Sequence, residues 1–264
     1  LRADLDERSR AVVLAHLAGD FLQGGFLRRA IASYEEVLDG DPKHLPALRA
    51  LVRLYADVRE FPRAIEVARR LAKREGRNSD ADVAGLLVEG ARVEQAEGRN
   101  EDARKTIKKA LRRDRGRVLA WLTLGDLEAE RGKTRAALAA WSKIPELEIA
   151  SGHLVYAKLE ATYAALGKPR EFETFVRRLL DTHADDPGLR LALARHLSAR
   201  GDVDLAVQEL SVVLERWPDH IEARGVLARL FLSEHREADA ARALGDLLDV
   251  LDRQGLLAGE GKLP

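Results

Sequence analysis

The chain has 264 residues, of which 46% are apolar, 33% charged and 5% aromatic, the composition of a folded helical protein and not of a disordered one. Lys plus Arg and Asp plus Glu number 44 each, so the net charge gives no pull toward nucleic acid or an anionic membrane surface. There is no Cys, which excludes disulfides, thiolate metal sites and Cys nucleophiles, and no apolar run approaches the roughly 18 residues of a spanning helix.

A chain that starts at Leu1 and contains no Met is expected to be a segment of a longer protein. Residues 1–10 read as the end of a preceding helix. The next stretch, "HLAGDFLQGGFLRRAIASYEEVLDGDPKH" (16–44), reads as two short amphipathic helices folded about Gly24-Gly25 and closed at Pro42. Its apolar and small positions are Leu14, Leu17, Ala18, Phe21, Ala30, Tyr34 and Val37. They recur 34 residues on as Leu48, Leu51, Val52, Tyr55, Ala64, Ala68 and Leu71, and 39 further on as Leu87, Gly90, Ala91, Glu94, Ala103, Ile107 and Ala110. Four more copies start at Trp121, Tyr156, Arg190 and Arg224, spaced by 34, 35, 34 and 34 residues. Offsets of three and four put the large residues on one face of each helix, and Ala18, Ala64, Ala103 and Ala206 let paired helices approach closely. Polar or Gly-containing breaks recur mid-unit: "QGG", "DVRE", "AEGRN", "ERGK", "ALGK", "ARGD" and "SEHR".

A unit of this kind cannot bury its apolar face alone, so stacking is required. The expectation is an all-α solenoid, a right-handed superhelix of about seven helix–turn–helix repeats over residues 11–252, with about fourteen helices and no sheet. Residues 253–264 read as a linker or tail. Two places break the period: "GRNSD" (76–80) is expected to be a longer loop, and Pro145 to cut short the fourth unit's second helix before a loose linker, "ELEIASGH".

No enzymatic constellation emerges. None of the seven His forms a short metal-ligand spacing, and there is no Gly-rich phosphate loop or nucleophile elbow. "THADD" (182–186) sets a His beside carboxylates, but before a Pro it reads as a solvated turn. Trp121 and Trp141 fall on core positions, and Trp217 packs near a unit boundary. The polar feature of interest follows the small residue of each first helix, where the chain carries Gly19, Arg53, Arg92, Asp126, Ala161, Arg195 and Arg229, with Arg49 one turn before Arg53. Because a solenoid aligns such positions, Arg49, Arg53, Arg92, Asp126, Arg195 and Arg229 are the candidate partner-binding residues, suited to an acidic protein segment. The competing reading is a solvated face, since 34 of the 44 basic residues are Arg.

The repeat period resembles the tetratricopeptide repeat. The order of motifs, "LDERSRAVVLAHLAGDFLQGGFLRRA", "LVRLYADVREFPRAIEVARRLAK", "AWSKIPELE" and "LVYAKLEATYAALGKPREFETFVRRLLDTHADDPGLRLALARHLSARGD", resembles the lipopolysaccharide assembly protein B family (LapB, also YciM) over about residues 4–250. Arg28-Arg29-Ala30 and Phe61-Pro62 depart from that pattern. The resemblance implies a non-catalytic adaptor on the cytoplasmic side of the bacterial inner membrane, tethered by a segment outside this chain. It would link a membrane AAA protease to the lipid A deacetylase and so limit lipopolysaccharide synthesis. It implies no cofactor within this chain and a rubredoxin-like metal-binding module beyond Pro264. Neither nucleic acid nor direct membrane insertion is expected. The alternative is a general repeat scaffold binding peptides in pilus, secretion or envelope assembly.

Overall fold

The computed structural model describes residues 7–256, so residues 1–6 of the expected preceding helix and 257–264 of the expected tail lie outside the described residues. The chain divides into two compact units, Leu1–Lys133 and Thr134–Pro264. The first holds α1 (Glu7–Gln23), α2 (Leu27–Gly40), α3 (Leu45–Asp57), α4 (Phe61–Arg74), α5 (Asp80–Ala96), α6 (Asn100–Arg113) and α7 (Val118–Glu130). The second holds α8 (Thr134–Trp141), α9 (Lys143–Leu147), a 3₁₀ turn (Ile149–Leu154), α10 (Tyr156–Ala165), α11 (Pro169–Leu180), α12 (Pro187–Arg200), α13 (Val203–Arg216), α14 (Ile221–Ser233) and α15 (Glu237–Arg253). Among the described residues there is no strand.

Each helix buries the stripe its sequence spacing dictates. In α4 the buried residues are Ala64, Val67, Ala68, Leu71 and Ala72, and in α11 Phe172, Phe175, Val176 and Leu179. Pro62 and Pro169 sit in the first turns of these helices, where the missing N–H leaves no bond unmade. Ala18, Ala64, Ala103 and Ala206 are each 0% exposed, as close helix pairing requires.

The seven mid-unit breaks share one geometry. Gly25, Arg59, Gly98, Gly132, Gly167, Gly201 and His235 all have positive φ, between 55° and 85°. The following N–H reaches back five residues to a helix carbonyl, as in Phe26 to Phe21 (2.8 Å), Arg99 to Glu94 (2.8 Å) and Arg236 to Phe231 (2.9 Å). This is the left-handed helix stop that glycine adopts without a Cβ penalty, and Arg59 and His235 adopt it against that penalty.

A second repeated device fastens the preceding loop. Trp121 Nε1 donates to the Arg115 carbonyl (2.8 Å), Arg190 Nε to Ala184 (3.0 Å) and Arg224 Nε to Pro218 (2.7 Å), each six residues back. Trp141 is buried, whereas Trp121 and Trp217 are half-buried. The guanidinium of Arg216 lies 5.3 Å from the Trp217 ring centre.

Two sequence expectations are corrected and one is borne out. The 39-residue spacing does not produce a long loop: only 75–79 separate α4 from α5, and α5 has 17 residues where α3 has 13. Most of the insertion is one extra helical turn, which keeps its backbone bonded and its apolar stripe in phase. Pro145 does cut short the fourth unit's second helix, four residues upstream, because its ring displaces the bond to the Trp141 carbonyl; α8 ends there, and the split gives fifteen α-helices among the described residues, in keeping with about fourteen. The expected loose linker is ordered: it forms the 3₁₀ turn, Gly152 and Val155 are buried, and a Cβ at Gly152 would lie 2.1 Å from Tyr156 Oη.

Candidate interaction surfaces

The first unit carries a cleft of about 560 Å³ between α3 and α5, closed at one end by the residue preceding α7. From α3 come Arg49, Val52, Arg53, Ala56 and Asp57; from α5 Ala81, Asp82, Gly85, Leu86 and Glu89; Arg117 supplies the end. The extra turn of α5 builds one wall. Its Ala81 carbonyl accepts from Arg117 (2.7 Å), its Asp80 from Arg113 (2.9 Å), and its Asp82 pairs with Arg77.

The electrostatics of this cleft are mixed. Arg49 donates to Glu75 Oε1 (Nη2, 2.7 Å) and Arg77 to Glu75 Oε2 (2.6 Å). These hydrogen bonds, Arg49 first, hold the Glu75 carboxyl below the usual carboxylate range. Asp80 is lowered in the same way by Arg113 and Asn78. Arg53 is exposed and has no ion-pair partner among the described residues. Four arginines, Arg49, Arg53, Arg77 and Arg117, therefore face Asp57, Glu75, Asp82 and Glu89.

The second unit has its own, smaller cleft of about 310 Å³ between α12 and α14, lined by Arg195, Ser198, Ala199, Val226, Arg229, Leu230 and Ser233. Arg195 is bound by Glu222 (2.6 Å), and Arg229 is exposed without an ion-pair partner among the described residues. The candidate pairs Arg49/Arg53 and Arg195/Arg229 are thus each brought together. Arg92, exposed on α5, and Asp126, half-buried on α7, line neither cleft.

Sequence reasoning missed the acidic half of the first cleft. A signal was present: Asp57 lies four residues after Arg53, so both share one helix face. It also missed Glu128 and His196, both buried at helix positions where an apolar residue is usual. Glu128, 4% exposed, accepts from Arg104 Nε (2.5 Å) and Arg131 Nη1 (2.7 Å). His196, 3% exposed, bonds Glu160 through Nδ1 (2.9 Å) and sets its ring edge-on to Phe172. In "THADD", Asp186 caps α12 by accepting from the Leu189 N–H (2.8 Å) and Asp185 pairs with Arg216, while His183 is exposed, which is the solvated turn expected. Among the described residues, no group of three or more His, Asp or Glu is placed to hold a metal ion, and no helix is long and apolar enough to cross a membrane.

The family profile described as "Tetratricopeptide repeat" matches residues 17–82, 88–145 and 191–258, well over half of the chain. The chain belongs to the tetratricopeptide repeat family. Among curated relatives this repeat protein is similar to lipopolysaccharide assembly protein B of Escherichia coli K12, at 25% identity over 257 residues, covering 96% of the chain and 64% of that protein. It is also similar to the protein of that name from Haemophilus influenzae, at 26% identity over 202 residues, covering 76% of the chain and 50% of that protein. The chain therefore spans less than two thirds of the length of these relatives. Among solved structures, the C-terminal part of a repeat-containing protein from Cytophaga hutchinsonii superposes with a TM-score of 0.51 at 14% identity, over 89% of this chain and 94% of that one. That likeness concerns the fold alone. The tetratricopeptide array is an all-α repeat scaffold for protein or peptide partners, similar to lipopolysaccharide assembly protein B.

Proposed function

We propose that residues 11–252 form the interaction region of a non-catalytic adaptor that restrains lipopolysaccharide synthesis by linking a membrane AAA protease to the lipid A deacetylase. The observation that carries this reading is the similarity to lipopolysaccharide assembly protein B along 96% of the chain, well beyond what one repeat motif requires. In this proposal the array works on the cytoplasmic side of the inner membrane, tethered by a segment outside this chain, and a rubredoxin-like metal-binding module follows it. The clefts of the two units supply the docking surfaces, with Arg49 and Arg53 in the first cleft, joined by Arg92 on the exposed face of α5 outside it, serving one acidic partner segment and Arg195 and Arg229 another. Asp126 interrupts the basic positions and confers charge selectivity. Because Glu75 and Glu222 already hold Arg49 and Arg195, it is Arg53, Arg92 and Arg229, without ion-pair partners among the described residues, that contribute most to an incoming carboxylate.

The test is affinity capture with the full-length protein from its own membranes, comparing wild type with the double variant Arg53→Glu, Arg92→Glu. Both sites are exposed, so the fold is retained. Wild type recovers a protease and a lipid A enzyme. The double variant binds at least about tenfold more weakly, roughly 1.4 kcal/mol, and the deficit shrinks as salt rises. Recovery of pilus or secretion components instead would replace the lipopolysaccharide reading with the general scaffold one. Unchanged capture at low salt would remove the arginines from the site.

A further inference from the structure

A cavity of about 500 Å³ opens beside the turn that joins α3 to α4, walled by Phe61, Ile65, Leu87, Val93 and the backbone at Gly90. Glu94 lines it, half-buried, and its Oε2 is shut off from solvent with no hydrogen-bond partner among the described residues. The carboxylate has lost part of its hydration and received no donor in exchange, a costly arrangement for a charged group. The two cations that also line the cavity pair with Glu97 at its rim and not with Glu94: Arg99 at 2.5 Å and Arg59 at 3.7 Å.

The next repeat supplies an internal comparison. Glu128 occupies the same repeat position as Glu94, 34 residues on, and is held by Arg104 from the preceding repeat and Arg131 from its own turn. The positions equivalent to those two arginines beside Glu94 are Ile65 and Glu97. The same carboxylate is thus built twice, once with its guanidinium partners and once with a cavity in their place.

We propose that the Glu94 cavity is the receptor for an arginine side chain of a partner polypeptide, whose guanidinium completes Glu94 as Arg104 completes Glu128. The aliphatic stem lies along Ile65 and Val93. The ring of Phe61 offers a π face: at Gly90 a Cβ would stand only 3.3 Å from it, so the missing side chain lets the ring lie against α5. Elsewhere in the protein an arginine covers such a ring, as Arg63 covers Tyr55 (4.4 Å) and Arg236 covers Phe231 (4.5 Å), whereas among the described residues Phe61 has no such partner. An arginine is favoured over lysine because its planar fork can both stack and pair with a carboxylate. The inference rests on the scaffold reading but not on the arginine clefts, and the site takes a basic anchor where the clefts take acidic segments.

The probe is Nα-acetyl-arginine methylamide, titrated at millimolar concentration into the full chain and followed by amide NMR, with the citrulline analogue as its neutral isostere. The arginine compound produces saturable shifts at Gly90–Glu94 and Phe61, and citrulline binds at least tenfold more weakly. Glu94→Gln removes the response. So does Ile65→Arg, which supplies the missing guanidinium from within, as Arg104 does for Glu128. Equal binding of citrulline, an unchanged response in Glu94→Gln, or no saturable shift in folded wild type each overturns the proposal. The titration reads the cavity directly, so these outcomes leave the capture experiment for the adaptor unaffected.

Discussion

Replacing Glu128 by Gln removes one charge from a site that nearly excludes water while keeping the side chain's volume. The carboxylate accepts two charge-assisted bonds, at 2.5 Å from Arg104 and 2.7 Å from Arg131. Breaking a buried pair by deleting one partner costs about 3–5 kcal/mol. Two features reduce that here: the arginine side chains are 28% and 27% exposed and can rehydrate, and Arg131 keeps Glu101 at 2.8 Å. The expected loss is about 2–3 kcal/mol, or roughly 4–10 °C in melting temperature for a protein of this size. The pH dependence has a definite sign. Burial alone would raise the Glu128 carboxyl, but Arg104, by hydrogen bond and charge, and then Arg131 hold it below the usual carboxylate range. The stabilisation is therefore complete above the unfolded value of about 4.3, and it is lost as pH falls through the lower folded value. Urea denaturation of both proteins between pH 3 and pH 7 measures the gap directly. Glu94→Gln is the control, because it removes a partly desolvated charge that has no guanidinium, and it should leave stability unchanged or raise it. If Glu128→Gln and Glu94→Gln behave alike, the equation of paired and unpaired carboxylates with different energies is wrong.

His235→Gly relieves the left-handed strain at φ 55° and should raise stability by about 1 kcal/mol, read as an upward shift of the urea midpoint. A lowered midpoint would show that the His235 side chain contributes more than its backbone costs. Ala206→Arg places a long cation where the side chain is 0% exposed and should destabilise by several kcal/mol, visible as a drop of many degrees in thermal unfolding. A melting curve matching wild type would mean that α12 and α13 do not pack through Ala206.

The repeat was legible because burial leaves few choices: a helix that must hide one stripe against a close neighbour spells out Ala64, Val67, Ala68 and Leu71 at three- and four-residue steps. The seven turns were legible for a related reason, since five of them need Gly to reach positive φ. Arg59 and His235 show the limit, because there the surrounding period, and not the residue type, marked the turn. The insertion before α5 was visible only as a number of residues. Whether it forms loop or helix depends on Val83 and Ala84 finding a buried face, which is a tertiary matter. The arginine positions were legible as positions on a helix, but their charge environment was not readable. Glu75 lies 26 residues from Arg49 and Glu222 27 from Arg195, and only the packing of helices within each compact unit brings them together.

The extra turn that begins α5 has a consequence for how such arrays diversify. Four added helical residues rotate the chain by slightly more than one full revolution and advance it by about 6 Å. The rest of α5 keeps nearly the same orientation, and the next left-handed stop follows it at Gly98. Length can therefore be inherited in whole revolutions without disturbing the neighbours, whereas a one- or two-residue change would turn Val83 and Leu86 away from the interior. The added revolution carries Asp80 and Asp82, and with them the carboxylates that anchor Arg113 and Arg77. A silent change in helix length is thus also a change in what the adjacent surface can accept, and shortening or re-sequencing that single revolution is a route to retargeting the protein while its interior stays intact.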